Sequence, residues 1–353
     1  MASSVAAMPS DLGTSALVRA AAALAGDLVA DAARLEREGV DRAVVDRLSA
    51  AGLLAVYGPP ELGGASAPEQ RRVGELLSGA SPDAWFVWFQ HGPVVKMLKG
   101  SENADLVAKH LPELCAGREV GGVAWSHLRT PKPSVLATRV EDGWSLSGFQ
   151  PWCTGWGLID VVLVGALVEE TDEVLFGLVP AAERPAMRSA GELTLAAMGG
   201  TSTHALRFQD LRLPDSDVVL LAARTPWAEA DRNANGNVQP STYGVALAAL
   251  DLLEQRAPAH AAVLRPRVLE LREQAYRLLD DVAPDEQVGE RLDVRARSLL
   301  LGIEVCTALL AARGGQGMDL ADPAQRLLRA AAFQLVHSQA GHVRAATLDA
   351  LVR

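Results

Sequence analysis

The stretch Val161-Val162-Leu163-Val164-Gly165-Ala166-Leu167-Val168 is a continuous apolar run, and Val174-Leu175-Phe176-Gly177-Leu178-Val179 follows it after a polar turn. Short apolar runs that are rich in β-branched residues and bounded by turn residues are typical of buried strands. Shorter runs of the same kind lie on either side, at residues 136–140, 144–147 and 205–211. This spacing predicts a small antiparallel β-domain from residue 121 to about residue 221.

Both flanks of this region have helical periodicity. Before it, apolar residues recur at helical spacing over residues 15–36, 42–51, 68–79, 83–99 and 102–115. After it, a polar loop at residues 231–237 precedes helical patterns at 241–256, 262–281, 291–313 and 323–350. The sequence therefore predicts an α+β fold of three domains. These are an N-terminal helical domain (1–118), a central β-domain (119–222) and a C-terminal helical bundle (223–353).

Composition excludes several classes of protein. The chain of 353 residues is 49% hydrophobic and 22% charged, with a net charge of −10 and no basic stripe, so we expect neither a nucleic-acid partner nor a membrane partner. Residues 1–12 lack the basic start and apolar run of a signal peptide. The cysteines Cys115, Cys153 and Cys306 form no disulfide or metal-ligand pattern. We expect a reduced, cytoplasmic protein without a metal site.

Short motifs occur in a fixed order along the chain. They are Leu48-Ser49-Ala50-Ala51-Gly52-Leu53-Leu54 with Pro60-Glu61-Leu62-Gly63-Gly64, then Gly148-Phe149-Gln150-Pro151-Trp152-Cys153-Thr154-Gly155, then Met198-Gly199-Gly200-Thr201-Ser202-Thr203 with Phe208-Gln209-Asp210-Leu211-Arg212-Leu213-Pro214, and finally Gly314-Gly315-Gln316-Gly317-Met318 with Arg326-Leu327-Leu328-Arg329. In this order and spacing they resemble the motifs of the acyl-CoA dehydrogenase superfamily.

The resemblance implies a flavin, FAD by default, held between the β-domain and the C-terminal helices of a homo-oligomer. It also implies α,β-dehydrogenation of an acyl thioester as the reaction. Trp152 would lie against the isoalloxazine ring and Thr154 would hydrogen-bond near its N5, while Ser126 could donate to the flavin from a neighbouring segment. The glycines would let the backbone approach the ADP portion; they are Gly314, Gly315 and Gly317.

The catalytic base of the family has no counterpart here. Family dehydrogenases remove the α-proton with a glutamate. One family position for it, nine residues after the arginine matched by Arg329, is occupied by Ser338, and the other falls near Ala234. Asp231 or Glu229 could substitute as the base. The segment between residues 123 and 128 also departs from the family pattern, because Trp125 precedes Ser126.

Two further features bear on the cofactor and the reaction. The family's R-x-x-F-G segment is missing after the first C-terminal helix, so FAD could bind weakly, and FMN or a diffusible reduced flavin could replace it. His337 lies where the two-component flavin monooxygenases of the superfamily have a histidine, and a histidine can exchange protons near pH 7. A helical histidine packed at a subunit contact is the plainer alternative.

Three functions therefore stay open. The first is an acyl-CoA dehydrogenase-like enzyme with an unusual base, and the second is a flavin-dependent monooxygenase or oxidase of the same fold. The third is a non-catalytic subunit that pairs with a complete homologue in a hetero-oligomer.

Overall fold

The computed structural model describes residues 15–338 and 340–353, so residues 1–12 lie outside its described part. The N-terminal helices are α1 (Ala16–Glu38), α2 (Arg42–Ala50), α3 (Ala67–Ala80), α4 (Pro82–Lys99) and α5 (Ala104–Cys115). The strands are β1 (Gly121–Ala124), β2 (Val135–Val140), β3 (Gly143–Cys153), β4 (Val161–Val168), β5 (Glu173–Pro180), β6 (Met187–Glu192), β7 (His204–Pro214) and β8 (Val218–Ala223). The C-terminal helices are α6 (Arg224–Asn235), α7 (Pro240–Glu254), α8 (Pro258–Asp281), α9 (Val288–Arg313), α10 (Pro323–Gln334) and α11 (Gly341–Leu351). This order confirms the predicted α+β fold class.

The sheet has the strand order β6-β7-β3-β2-β4-β5-β8, and β1 pairs with β4 outside this path. Most pairs are antiparallel as predicted, but β1 and β2 each pair with β4 in parallel. Every residue of β4 is buried. A strand that is covered on both faces consists almost entirely of apolar residues, which explains the continuous apolar run in the sequence. Strand β3 lies between β2 and β7 and carries Trp152 at its end.

Helix α4 is apolar on nearly all sides, which is typical of a helix buried on its whole circumference. Its aromatic residues Trp85, Phe86 and Trp88 are buried at 1%, 8% and 3% exposure. The helix packs against β1 on one side and against α3 and α5 on others. It thus brings large rings to the junction of the helices with the sheet. No helix in the described part of the chain is both long and apolar enough to cross a membrane.

Two predicted elements were wrong. The segment predicted as a polar loop at 231–237 is helical up to Asn235, whose side-chain amide donates to the carbonyl (2.7 Å) and carboxylate (2.9 Å) of Asp231. The single helix predicted at 323–350 is two helices, α10 and α11. Ser338 between them has φ 53°, and a left-handed residue with a side chain cannot continue a right-handed helix.

Candidate functional site

Trp152 is presented to solvent by a β-bulge. Gln150 pairs with Leu206 and Cys153 with His204, so β3 has one residue more than β7 over this interval. Pro151 has no N–H group to offer the strand ladder, which favours a bulge at this point. Bulges re-aim side chains, and here Trp152 is 50% exposed while Cys153 beside it is fully buried. The end of β3 therefore offers an indole that the described residues leave half exposed.

Gln150 joins the two segments that carry the predicted cofactor residues. It is fully buried, and its amide Nε2 donates to the hydroxyl of Ser126 at 3.1 Å and to the carbonyl of Trp152. Its Oε1 has no hydrogen-bond partner among the described residues. Buried acceptors are rarely left unpartnered, so this amide has spare capacity beside the exposed indole. Sequence reasoning missed Gln150, although it stands inside the quoted motif.

Thr154 begins a row of buried hydroxyl groups. Its Oγ1 lies 3.0 Å from that of Thr203, which lies 2.8 Å from that of Thr201. The hydroxyl of Thr201 donates to the carbonyl of Met198 at 2.8 Å. The three threonines are 5%, 3% and 0% exposed in that order. Sequence reasoning named Thr154 but not the other two, because their contact with it depends on how β3 and β7 pair.

The glycine turn, Gly314–Met318, lies apart from Ser126, Trp152 and Thr154 within one chain. Gly314 has φ 59°, and a Cβ added at Gly314 or Gly315 would meet no atom within 4 Å. Gly317 differs, because a Cβ there would come within 2.6 Å of Leu310, so internal packing explains this glycine. The turn packs against α9 and α10, and among the described residues no hydrogen bond links it to β3. The structure therefore groups Ser126 with Trp152 but does not bring the turn to them.

Asp231 is not a free carboxylate. Arg129 donates to both of its oxygens at 2.9 Å, and Asn235 donates to one of them at 2.9 Å. This bidentate pair joins the turn Ser126–Arg129 to α6. Glu229, the other acidic residue considered as a base, is exposed. Asp231 thus holds two segments together and is poorly placed to meet a substrate proton.

His337 lies in an aromatic cage. Its ring stacks on or meets edge-on four rings within 6 Å between centroids: Trp85, Phe86, Phe89 and Phe333. Burial, with smaller effects from Arg295 and Arg129, lowers the pKa of His337 to about 3, because an apolar surrounding disfavours the charged ring. Its Nδ1 has no partner among the described residues, and Ser338 Oγ is 3.4 Å from Nε2. His337 is therefore neutral near pH 7 and packs within its own chain.

A buried cation stands between the two segments where the resemblance places a carboxylate. Arg295 is 2% exposed, and its guanidinium donates to the backbone carbonyls of Asn235, Asn237 and His337. Burial, then repulsion from Arg129, lowers the pKa of Arg295 to about 10, which keeps it charged at neutral pH. The segments that end at Asn235 and at His337 thus converge on one guanidinium. Ala234 and Ser338, where the resemblance places the base, are the chain neighbours of Asn235 and His337, and neither has a carboxylate.

Three further histidines and Trp125 have partners within the chain. His127 bonds the carbonyl of Gly165 at 2.9 Å, and His91 accepts from the amide of Gly121 at 3.0 Å. His204 lies 2.7 Å from the hydroxyl of Ser189. Trp125 packs edge-on against Phe176 and so belongs to the core beneath the sheet. All of these contacts are typical of structural residues.

Comparison with known proteins gives the fold a precedent. The chain matches no protein-family model. It is 26% identical over 136 residues to a mitochondrial 2-methylacyl-CoA dehydrogenase of Solanum tuberosum, a match that covers 37% of this chain and only a third (33%) of that protein. Solved structures align over nearly the whole chain. Butyryl-CoA dehydrogenase from Megasphaera elsdenii has a TM-score of 0.80 and 16% identity and covers 99% of this chain and 100% of its own.

A second solved structure is a glutaryl-CoA dehydrogenase from Mycobacterium smegmatis in complex with FADH2, with a TM-score of 0.80, 16% identity and coverage of 98% and 95%. At this level of identity the likeness establishes the fold alone. The chain therefore has the fold that the order of its motifs predicted.

Proposed function

We propose that this protein is a flavin-dependent oxidoreductase that binds FAD, or FMN, against the end of β3. The observation that carries the proposal is the half-exposed Trp152 on its bulge, next to the buried Gln150, whose Oε1 has no hydrogen-bond partner among the described residues. An exposed indole beside fixed donors and acceptors suits one face and one edge of a planar heteroaromatic ring. The fold shared with a structure solved with FADH2 adds support from an independent source.

The residues that would hold the cofactor divide by type of contact. Trp152 would lie on the ring, Thr154 would face its N5, and Ser126, held by Gln150, would meet its polar edge. A bound flavin would supply two-electron transfer at its ring, chemistry that protein side chains lack. Gly314 and Gly315, whose surroundings are open, would meet the phosphates of the cofactor of a second copy of this chain.

The helical side of the site disfavours acyl-CoA dehydrogenation by the family's usual route. That reaction needs a carboxylate to take the α-proton, and Asp231 has both oxygens bonded to Arg129. His337 and Ser338 replace the glutamate with a neutral ring and a hydroxyl. We therefore propose an oxygen-using flavin monooxygenase or oxidase as the subtype. A dehydrogenase that acts on acyl thioesters with an unusual base is the alternative.

We also propose that the chain works as an oligomer. Met318 and Leu320, beside the glycine turn, are 70% and 69% exposed, and Val336 is 69% exposed. Exposed apolar residues near one another in the chain favour a protein–protein contact. A second copy is the partner that could bring its glycine turn to Trp152, and a complete homologue could do the same in a hetero-oligomer.

The visible spectrum of the purified full chain tests the proposal. It would be recorded as purified, after adding FAD or FMN, and after adding dithionite-reduced flavin under nitrogen. We expect a flavin spectrum that is perturbed by binding. Bleaching by an acyl-CoA without oxygen would favour the dehydrogenase, and oxygen consumption only with reduced flavin would favour the monooxygenase. Failure to bind any flavin would overturn the proposal for the isolated chain and favour the non-catalytic subunit.

A further inference from the structure

The row of hydroxyls behind Thr154 has a defined direction. A threonine hydroxyl has one proton to donate and can accept other bonds. The carbonyl of Met198 can only accept, so the proton of Thr201 points to it. Thr201 must then accept from Thr203, whose single proton is thereby used. Thr203 in turn can only accept from Thr154. The proton of Thr154 therefore points into the protein, away from any ligand on the outer side of its hydroxyl.

Burial of the row enforces this direction of its hydrogen bonds. Thr203 and Thr201, at 3% and 0% exposure, have almost no surface through which water could supply an alternative partner. Reversing the row would set the hydroxyl of Thr201 against the carbonyl oxygen of Met198, two acceptors 2.8 Å apart. A buried hydrogen bond that is lost in this way costs about 1–3 kcal/mol. The Met198 carbonyl thus fixes the direction of the hydrogen bond that Thr154, the third hydroxyl of the row, donates.

We infer that Thr203 and Thr201 are positioning residues that make Thr154 a hydrogen-bond acceptor toward the flavin, so that the site favours reduced over oxidised flavin. The inference rests on the proposed function, in which Thr154 faces the flavin N5. In oxidised flavin N5 carries no proton and can only accept, whereas in reduced flavin N5 carries a proton and donates. An acceptor at Thr154 matches the reduced form and leaves two acceptors facing each other in the oxidised form.

The test compares the dissociation constants of oxidised and reduced FMN and FAD for the full chain and for Thr203→Val. Valine keeps the shape of threonine and removes the acceptor, so the proton of Thr154 is free to turn toward N5. We expect the wild type to bind reduced flavin more tightly, and the ratio of oxidised to reduced dissociation constants to fall about tenfold in Thr203→Val. For a two-electron couple this ratio corresponds to a decrease of about 30 mV in the midpoint potential of bound flavin.

Thr203→Ser is the matched control, because it keeps the hydroxyl and should keep the ratio. Thr201→Val is a second variant that removes the link to Met198 and should shift the ratio in the same direction as Thr203→Val, which covers the case in which the latter folds poorly. A wild type that prefers oxidised flavin, or an unchanged ratio in both valine variants, would overturn the inference while leaving flavin binding intact. Absence of binding in both redox states would overturn the proposed function itself.

Discussion

The end of β3 and the junction of α6, α9 and α10 would form the two sides of one site, and they are built in opposite ways. At β3 the large ring of Trp152 is half exposed and the buried Gln150 keeps an unpartnered acceptor. At the helical junction two buried and two half-buried aromatic rings pack around His337, and Asp231 and Arg295 are bonded to partners in this chain. One side is open to a planar ligand, and the other is filled by the protein itself.

Under the proposed function, this difference means that the chain keeps a surface for a flavin but lacks the carboxylate that the resemblance places opposite it. The two sides are held by separate contacts. The bulge at Trp152 depends on Pro151 and on the pairing of β3 with β7, whereas the helical side depends on Arg295. The following substitutions should therefore affect one side without the other.

The largest expected effect is a difference in the free energy of unfolding between variants of two tryptophans, Trp85 on the helical side and Trp152 on β3. Trp85→Ala should lower the free energy of unfolding by about 4 kcal/mol, because Trp85 is 1% exposed and packs on Phe86, Phe89 and His337. Trp152→Ala should change it by less than about 1 kcal/mol, because half of its side chain is already in water. Urea unfolding followed by circular dichroism measures both. Equal losses would mean that β3 is packed as tightly as the helical side.

The next effect is expected from Arg295→Met. The substitution leaves three backbone carbonyls without their common donor, and we expect a loss of about 3 kcal/mol in the free energy of unfolding. Arg297→Met on the same helix is the matched control, because its ion pair with Asp293 is exposed and should contribute less than about 0.5 kcal/mol. If both variants unfold at the same urea concentration, Arg295 is not what joins the two segments.

A third effect concerns acid stability. The pKa of His337 is lowered to about 3 in the folded protein, against about 6.5 when unfolded. Below pH 6.5 the unfolded chain takes up a proton that the folded chain does not, so stability falls by about 1.4 kcal/mol per pH unit. The stability that the neutral His337 contributes is fully present above pH 6.5 and is lost as the pH falls toward 3. At pH 5 the variant His337→Met should therefore have lost about 2 kcal/mol less than the wild type, relative to pH 7.5.

Other buried groups that titrate in this range stay the same in both proteins. Burial lowers the pKa of His91 to about 4 and raises that of Asp83 to about 6, so their contributions cancel in the comparison. His260→Gln, at an exposed position, is the control and should follow the wild type. If His337→Met has the pH dependence of the wild type, His337 is protonated in the folded protein and the cage does not exclude charge.

The sequence predicts the fold far better than it predicts the site, for a physical reason. Strand β4 is found at residues 161–168 as predicted, because a continuous apolar run within one segment is enough to indicate that the segment is buried. Helix α6 was missed, because Asp231, Asn233 and Asn235 at its end have little helix propensity of their own. Contacts with distant residues stabilise it instead: Arg129 bonds Asp231, and Arg295 bonds the carbonyl of Asn235.

The same limit applies within the site. A motif names Trp152 and Thr154, but only the extra residue in β3 reveals why the indole is exposed, and only strand pairing places Thr203 beside Thr154. His337 could be named from its distance to Arg329, yet three of the four rings of its cage come from α4, which lies some 250 residues earlier in the sequence. Register and tertiary packing are properties of pairs of segments, and a pattern within one segment does not contain them.

The smallest effect is also the most direct test of the open side. Trp152→Ala should weaken flavin binding about tenfold, since stacking on an aromatic side chain contributes about 1–3 kcal/mol, and Trp152→Phe should restore most of it. Leu221→Ala on β8 is the matched control, because Leu221 is 41% exposed on a strand at the far end of the sheet. Fluorescence titration with FAD and FMN measures the affinities. Unchanged binding in Trp152→Ala would mean that the exposed indole is not the flavin platform, and the contrast between an open and a filled side would then carry no function.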